Sequence, residues 1–105
     1  MKAIPQVDFL PHVPDSKECS SNILIVDDEQ RIRATYRQLL SAPGRSIEDC
    51  GTGSEAMRRL EDRDIDVLIL DLNLPDINGL EIMEWMLRRH VPTAVVVFSG
   101  DASID

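Results

Sequence analysis

A chain of 105 residues at 43% apolar composition has room for one folded domain with a modest core. Nineteen acidic side chains against eleven Lys and Arg leave a formal charge of −8, which argues against direct nucleic-acid binding, because phosphate contact needs clustered cations. No apolar run reaches membrane-spanning length, the opening MKAIPQVDFLPHVPDSK has neither signal nor transit pattern, and Cys19 and Cys50 lack metal or disulfide spacing, so a reducing, cytoplasmic setting is the simplest.

Residues Met1 to about Asn22 mix Pro5, Pro11 and Pro14 with charges and isolated hydrophobes, and are expected to form a flexible arm before a folded part at 23–105. Ile23-Leu24-Ile25-Val26 is continuously apolar, the pattern of a strand buried on both faces, and it runs into Asp27-Asp28-Glu29. A helix follows to about Ser41, with Ile32, Tyr36, Leu39 and Leu40 lining one side and Pro43-Gly44 stopping it. A second strand near 46–50 leads through Gly51-Thr52-Gly53 into a helix from about Ser54, with Ala56, Met57 and Leu60 as its apolar stripe. The third strand, 66–70, delivers Asp71. The turn-rich Leu74-Pro75-Asp76-Ile77-Asn78-Gly79 then opens a helix over 80–89 whose core stripe is Leu80, Ile82, Met83, Met86 and Leu87. Pro92 separates it from a fourth strand, 94–98, followed by Ser99, Gly100 and Asp101. Strands alternating with helices through short loops predict βαβ crossovers, hence an α/β, doubly wound parallel sheet with helices on both faces.

In such a sheet the carboxyl ends of the strands face one crevice, which gathers Asp27, Asp28 and Asp71 where mutual repulsion calls for a bound cation. Asp27 and Asp28 also fit a plainer role, ending a strand and capping a helix whose dipole favours acids. Asp71 is harder to place that way, since it follows a buried run and an ionised carboxylate there needs a partner. Hard oxygen ligands suit Mg²⁺, and a carboxylate beside Mg²⁺ is able to attack a phosphoryl donor and form an acyl phosphate. Asp71 is the natural nucleophile. Ser99-Gly100 taken alone reads as a turn.

ILIVDDE at 23–29, Gly53-x-Glu55-Ala56, DVLILDLNLPDINGLEI at 66–82 and VVVFSG at 95–100 together resemble the receiver domains of bacterial two-component response regulators, across Ile23 to Asp101. The resemblance implies a flavodoxin-like receiver fold with Asp71 as phosphoacceptor. It further implies Asp28 as a direct Mg²⁺ ligand, Asp27 acting on the metal mostly through water, and the Asn73 backbone carbonyl as another ligand. Ser99 would be the switch hydroxyl that turns toward the phosphoryl group, with the small Gly100 leaving it room. Asn73 and Asp101 would sit where side chains tune the phosphoryl lifetime. The implied donor is a phosphohistidine on a sensor histidine kinase or histidine phosphotransfer protein. Such a domain promotes its own phosphorylation and dephosphorylation and turns over no free metabolite, so it is not an ordinary enzyme.

Receiver domains continue through a fourth helix, a fifth strand carrying an essential lysine, and a fifth helix. This chain stops at Asp105, its only lysines, Lys2 and Lys17, fall in the expected arm before the first strand, and an arginine does not fill the role of the family's fifth-strand lysine. The expectation is therefore an incomplete receiver, with Ala94–Phe98 as an apolar edge open to an output domain or to self-association. The alternative is a phosphorylation-independent pseudo-receiver, acting as an interaction module or inactive fragment.

Two other chemistries fit less well. A phosphatase of the haloacid dehalogenase type wants a second aspartate where Asn73 stands. A dinucleotide site could be read from Gly51-Thr52-Gly53-Ser54-Glu55-Ala56, yet it falls on the second βα turn beside an acidic crevice. Arg58, Arg59, Arg63, Arg88 and Arg89 are expected on solvated helix faces, and His12 and His90 are not candidates for phosphorylation or metal binding.

Overall fold

The computed structural model describes residues 20–98. The expected arm before Ser20, together with Ser99, Gly100 and Asp101, lies outside the described residues. The chain runs β1 (Ser21–Val26), α1 (Gln30–Leu40), β2 (Arg45–Cys50), α2 (Gly53–Asp62), β3 (Val67–Asp71), α3 (Gly79–Arg89) and β4 (Ala94–Phe98). Every element read from the sequence is present, with ends displaced by a residue or two. Ser21 and Asn22, assigned above to the arm, belong to β1. They pair with Arg45 and Ser46 of β2, and the Asn22 backbone N–H and side-chain amide donate to the Asp66 carboxylate and the Asp64 carbonyl, each at 2.7 Å. Ladder pairing thus draws two polar residues into the strand.

All pairings are parallel, in the order β2-β1-β3-β4. That order reverses direction at β1, so the gap beyond the carboxyl ends of β1 and β3 is the switch point where doubly wound sheets bind ligands. Alternation along the strands sorts two faces. Leu24, Val26, Leu68 and Leu70 pack with Ala56 and Leu60 of α2 and Ile82 and Met86 of α3. Ile23, Ile25 and Ile69 face the other way, against Tyr36 and Leu40 of α1, with Ile47, Val67 and Phe98 beside them. Leu24, Ile25, Val26, Leu68, Leu70 and Ile82 are fully buried, each contributing about 1.5–3 kcal/mol of transfer free energy.

The helix stripes need correction. Leu39, Leu80 and Leu87 were expected in the core but are 73%, 54% and 76% exposed. At 100° per residue, Leu80 and Leu87 point well away from the inward line through Ile82 and Met86, and Leu39 lies off the Ile32–Tyr36–Leu40 line. α1 has no fully buried residue, and β4 is a sheet edge with Val96 and Val97 exposed among the described residues. Arg58, Arg63, Arg88 and Arg89 lie exposed on their helices as expected, while Arg59 is half-buried. Within α2, Glu55 pairs with Arg58 and, at 2.9 Å, with Arg59, and β2 presents Glu48 toward the same helix, where it meets Arg59 at 3.0 Å and Arg63 at 2.6 Å. Arg89 pairs with Glu61 and lies over the half-buried Trp85 ring.

Candidate metal centre

Two strands deliver the acidic group by their period of two. Ile23, Ile25 and Asp27 share one face of β1 and its extension, as Val67, Ile69 and Asp71 do on β3. The β1–β3 register ends at Val26 opposite Leu70, so Asp27 and Asp71 follow side by side. Asp28 is the next residue round the turn into α1. One ligand oxygen from each of Asp27, Asp28 and Asp71 lies within 4.8 Å of the others. Asp27 and Asp71 are each 3% exposed, whereas Asp28 opens to solvent.

That spacing fits a hard divalent cation with oxygen ligands better than it fits three unpaired carboxylates. At 4.8 Å or less like charges repel, and two of the three are shielded from the water that would screen them. Burial pushes the Asp27 carboxyl above the usual carboxylate range, and repulsion from Asp71, Asp28 and Glu29 adds to it, against a hydrogen bond from the Glu29 N–H that pulls it down. That bond is 2.8 Å to Asp27 Oδ1. The plainer strand-end and cap reading holds only in small part. Glu29 is the N-cap of α1 and offers no side-chain cap, so Asp27 alone helps to close the turn.

The Asn73 N–H donates to Asp71 Oδ1 at 3.0 Å, which orients the carboxylate across the crevice. Asn73 lines the same cleft of about 610 Å³ as Asp27, Asp28, Asp71, Tyr36 and Phe98. The expected site residues Asp27, Asp28, Asp71 and Asn73 are thus brought together. Ser99 lies outside the described residues. β4 nevertheless reaches the site, since the Leu72 N–H donates to the Phe98 carbonyl at 3.3 Å and Phe98 packs on Tyr36.

Asp76 was read only as part of a turn, and it does more. Its two carboxylate oxygens accept from the backbone N–H groups of Gly53 and Ser54 at 2.8 and 2.9 Å, so the loop after Asp71 is clipped to the start of α2. Those bonds hold the Asp76 carboxyl well down, to about 2. Thr52 caps the same helix by accepting from the Glu55 N–H. The leading donors of α2 therefore already carry a carboxylate, which removes the place a pyrophosphate would take and with it the dinucleotide reading. An aspartate in a loop carries no sequence signal of which distant N–H groups it will meet. Cys50, buried at the end of β2, is held up to about 11 by burial and stays a thiol. Among the described residues no helix is long and apolar enough to cross a membrane.

Comparison with known proteins agrees with this geometry. The profile of the response regulator receiver domain matches residues 23–105. The luminescence regulatory protein LuxO of Vibrio campbellii is 32% identical over 81 residues, covering 77% of this chain and 18% of LuxO. The nitrate/nitrite response regulator NarL of Escherichia coli K12 is 33% identical over 86 residues, covering 80% of this chain and 40% of NarL. The signal receiver domain of a Luxo repressor protein from Vibrio parahaemolyticus superposes with a TM-score of 0.75 at 28% identity, covering 82% of this chain and 66% of that one. The chain thus spans less than half the length of these curated relatives.

Proposed function

The chain belongs to the response regulator receiver domain family, and on that premise we propose that it accepts a phosphoryl group on Asp71 in phosphorelay signalling. Asp28 and Asp71 would hold Mg²⁺ directly, with Asp27 acting mostly through water and the Asn73 carbonyl completing the protein's share. The observation that carries this reading is the convergence of the three carboxylates at the β1/β3 switch point, within 4.8 Å of one another. When bound, Mg²⁺ supplies charge neutralisation for the transferred group.

The donor on this reading is a phosphohistidine of a sensor histidine kinase or histidine phosphotransfer protein. Asp71 Oδ2 attacks phosphorus, the P–N bond breaks, imidazole leaves with the electron pair and takes up a proton, and an acyl phosphate remains on Asp71. The Asn73 N–H, holding Oδ1, keeps the other oxygen aimed into the cleft. Ser99 would turn its hydroxyl toward the new phosphoryl group, and the added charge would bias the domain between two packings that a partner distinguishes. The only reaction promoted is the domain's own phosphorylation and hydrolysis. An output domain or a second copy would meet the exposed β4 edge and the exposed leucines of α1 and α3. The setting is cytoplasmic, where the kinase's phosphohistidine would be offered.

The test is to incubate the full chain with acetyl phosphate or a phosphorylated kinase and Mg²⁺. An acid-stable, base-labile label is expected, lost in Asp71→Asn and in EDTA. Label that survives in Asp71→Asn overturns the nucleophile assignment. Absence of label together with no Mg²⁺-dependent response to beryllofluoride establishes the phosphorylation-independent reading instead.

A further inference from the structure

Resting on the metal site just proposed, we infer that Arg33 is a positioning residue for it: its guanidinium grips the backbone of Asp27 and so sets where the Asp27 and Asp28 carboxylates stand relative to Asp71. Arg33 Nη1 donates to the Asp27 carbonyl oxygen at 2.7 Å. Its Nε is buried with no hydrogen-bond partner among the described residues, and lies 3.8 Å from Asp49 Oδ2 on β2. The side chain is only 18% exposed.

A cation drawn out of water with one donor unfilled is costly, whereas a long arginine side chain on a helix surface is able to reach solvent. Room is left for it as well. A Cβ on Gly51 would stand 3.1 Å from Arg33 Nη1, so the residue after β2 is one that lets the guanidinium pass.

The grip completes a three-point hold on Asp27. Its N–H donates to the Cys50 carbonyl at 3.2 Å, its carboxylate accepts from the Glu29 N–H, and its carbonyl accepts from Arg33. Three mutually repelling carboxylates tend to push this turn apart. Arg33 opposes that through the carbonyl and Asp49, leaving the carboxylate oxygens free for the metal rather than competing for them. This is the action of an outer residue that orients a ligand.

Mg²⁺ affinity of the full chain by titration calorimetry, alongside Tm in EDTA, tests the assignment. Arg33→Met is expected to weaken Mg²⁺ binding about tenfold or more, with partial rescue by Arg33→Lys, which retains a cationic donor without the planar fork. Gly51→Ala is expected to weaken it by displacing the guanidinium, and to cost nothing further in the Arg33→Met background. A lower Tm in EDTA with unchanged Mg²⁺ affinity in both single variants marks a merely structural role and overturns the inference. Equal losses from Gly51→Ala with and without Arg33 overturn it too. Wild type that binds no Mg²⁺ overturns the metal reading and this one with it, whereas wild-type binding with insensitive variants removes this one alone.

Discussion

Asp76 shows how one side chain joins two parts of the site. Its carboxylate closes the start of α2 from a loop that also carries Asn73, so losing it frees both the helix end and the loop. Its folded-state value near 2 lies below the value of about 3.9 for an unfolded aspartate, so its stabilisation is complete above the latter and is lost as pH falls through the former. Asp76→Ala is therefore expected to melt lower than wild type at pH 7, with the gap closing as pH approaches 2. Thermal unfolding at stepped pH checks this, and a gap independent of pH would count against the clip. Asp71, Asp27 and Asp28 were legible as a group because strand ends in a parallel sheet face one way. Asp76 and Arg33 were not, since their partners lie on elements that only folding brings near.

At the scale of elements, α3 begins where the backbone behind Asp71 needs space. A Cβ on Gly79 would lie 2.9 Å from Leu72 Cα and 3.0 Å from the Asp71 carbonyl oxygen, and backbone atoms do not give way as a side-chain end would. Gly to Ala in a helix ordinarily gains up to about 1 kcal/mol, but overpacking against fixed atoms costs about 1–3 kcal/mol. The second effect wins. Gly79→Ala is expected to lower the urea midpoint and, by shifting Asp71, to slow labelling, and an unchanged midpoint would refute the tight approach. The same loop explains what the helix pattern missed. Apolar residues at helical spacing predicted α3 well, yet Leu80 and Leu87 are exposed because the stripe actually used is set by the sheet face beneath it. Periodicity finds a helix more readily than the width of its buried side.

Considered as a whole, the molecule concentrates like charge at one end of its sheet, and its stability should depend on what is bound there. One Mg²⁺ site that is filled only in the folded state adds about 2.7 kcal/mol when the ion is at a hundred times its dissociation constant. Wild type is expected to melt higher in Mg²⁺ than in EDTA, and Asp28→Asn to lose most of that rise. Asp27→Asn is expected to lose part of it and to be more stable than wild type in EDTA, because the neutral amide removes a buried repulsion. Calorimetric scans of the three proteins with and without the ion decide it. Equal Mg²⁺ responses in all three would contradict the site.

The order of apolar runs and breakers determined the elements, the parallel sheet and the carboxylates at its tips, because period and turn chemistry are local properties of the chain. The family motifs added the expected roles of Asp71 and its neighbours. Tertiary structure alone decided that β1 and β3 stand side by side, that Asp27 and Asp71 are buried, that Asp76 closes α2, and that Arg33 reaches past Gly51 to the Asp27 carbonyl. Each of these is a meeting of residues far apart in the chain, or of a side chain with another's backbone. Such meetings depend on strand order and close packing, which no local pattern of residue types encodes.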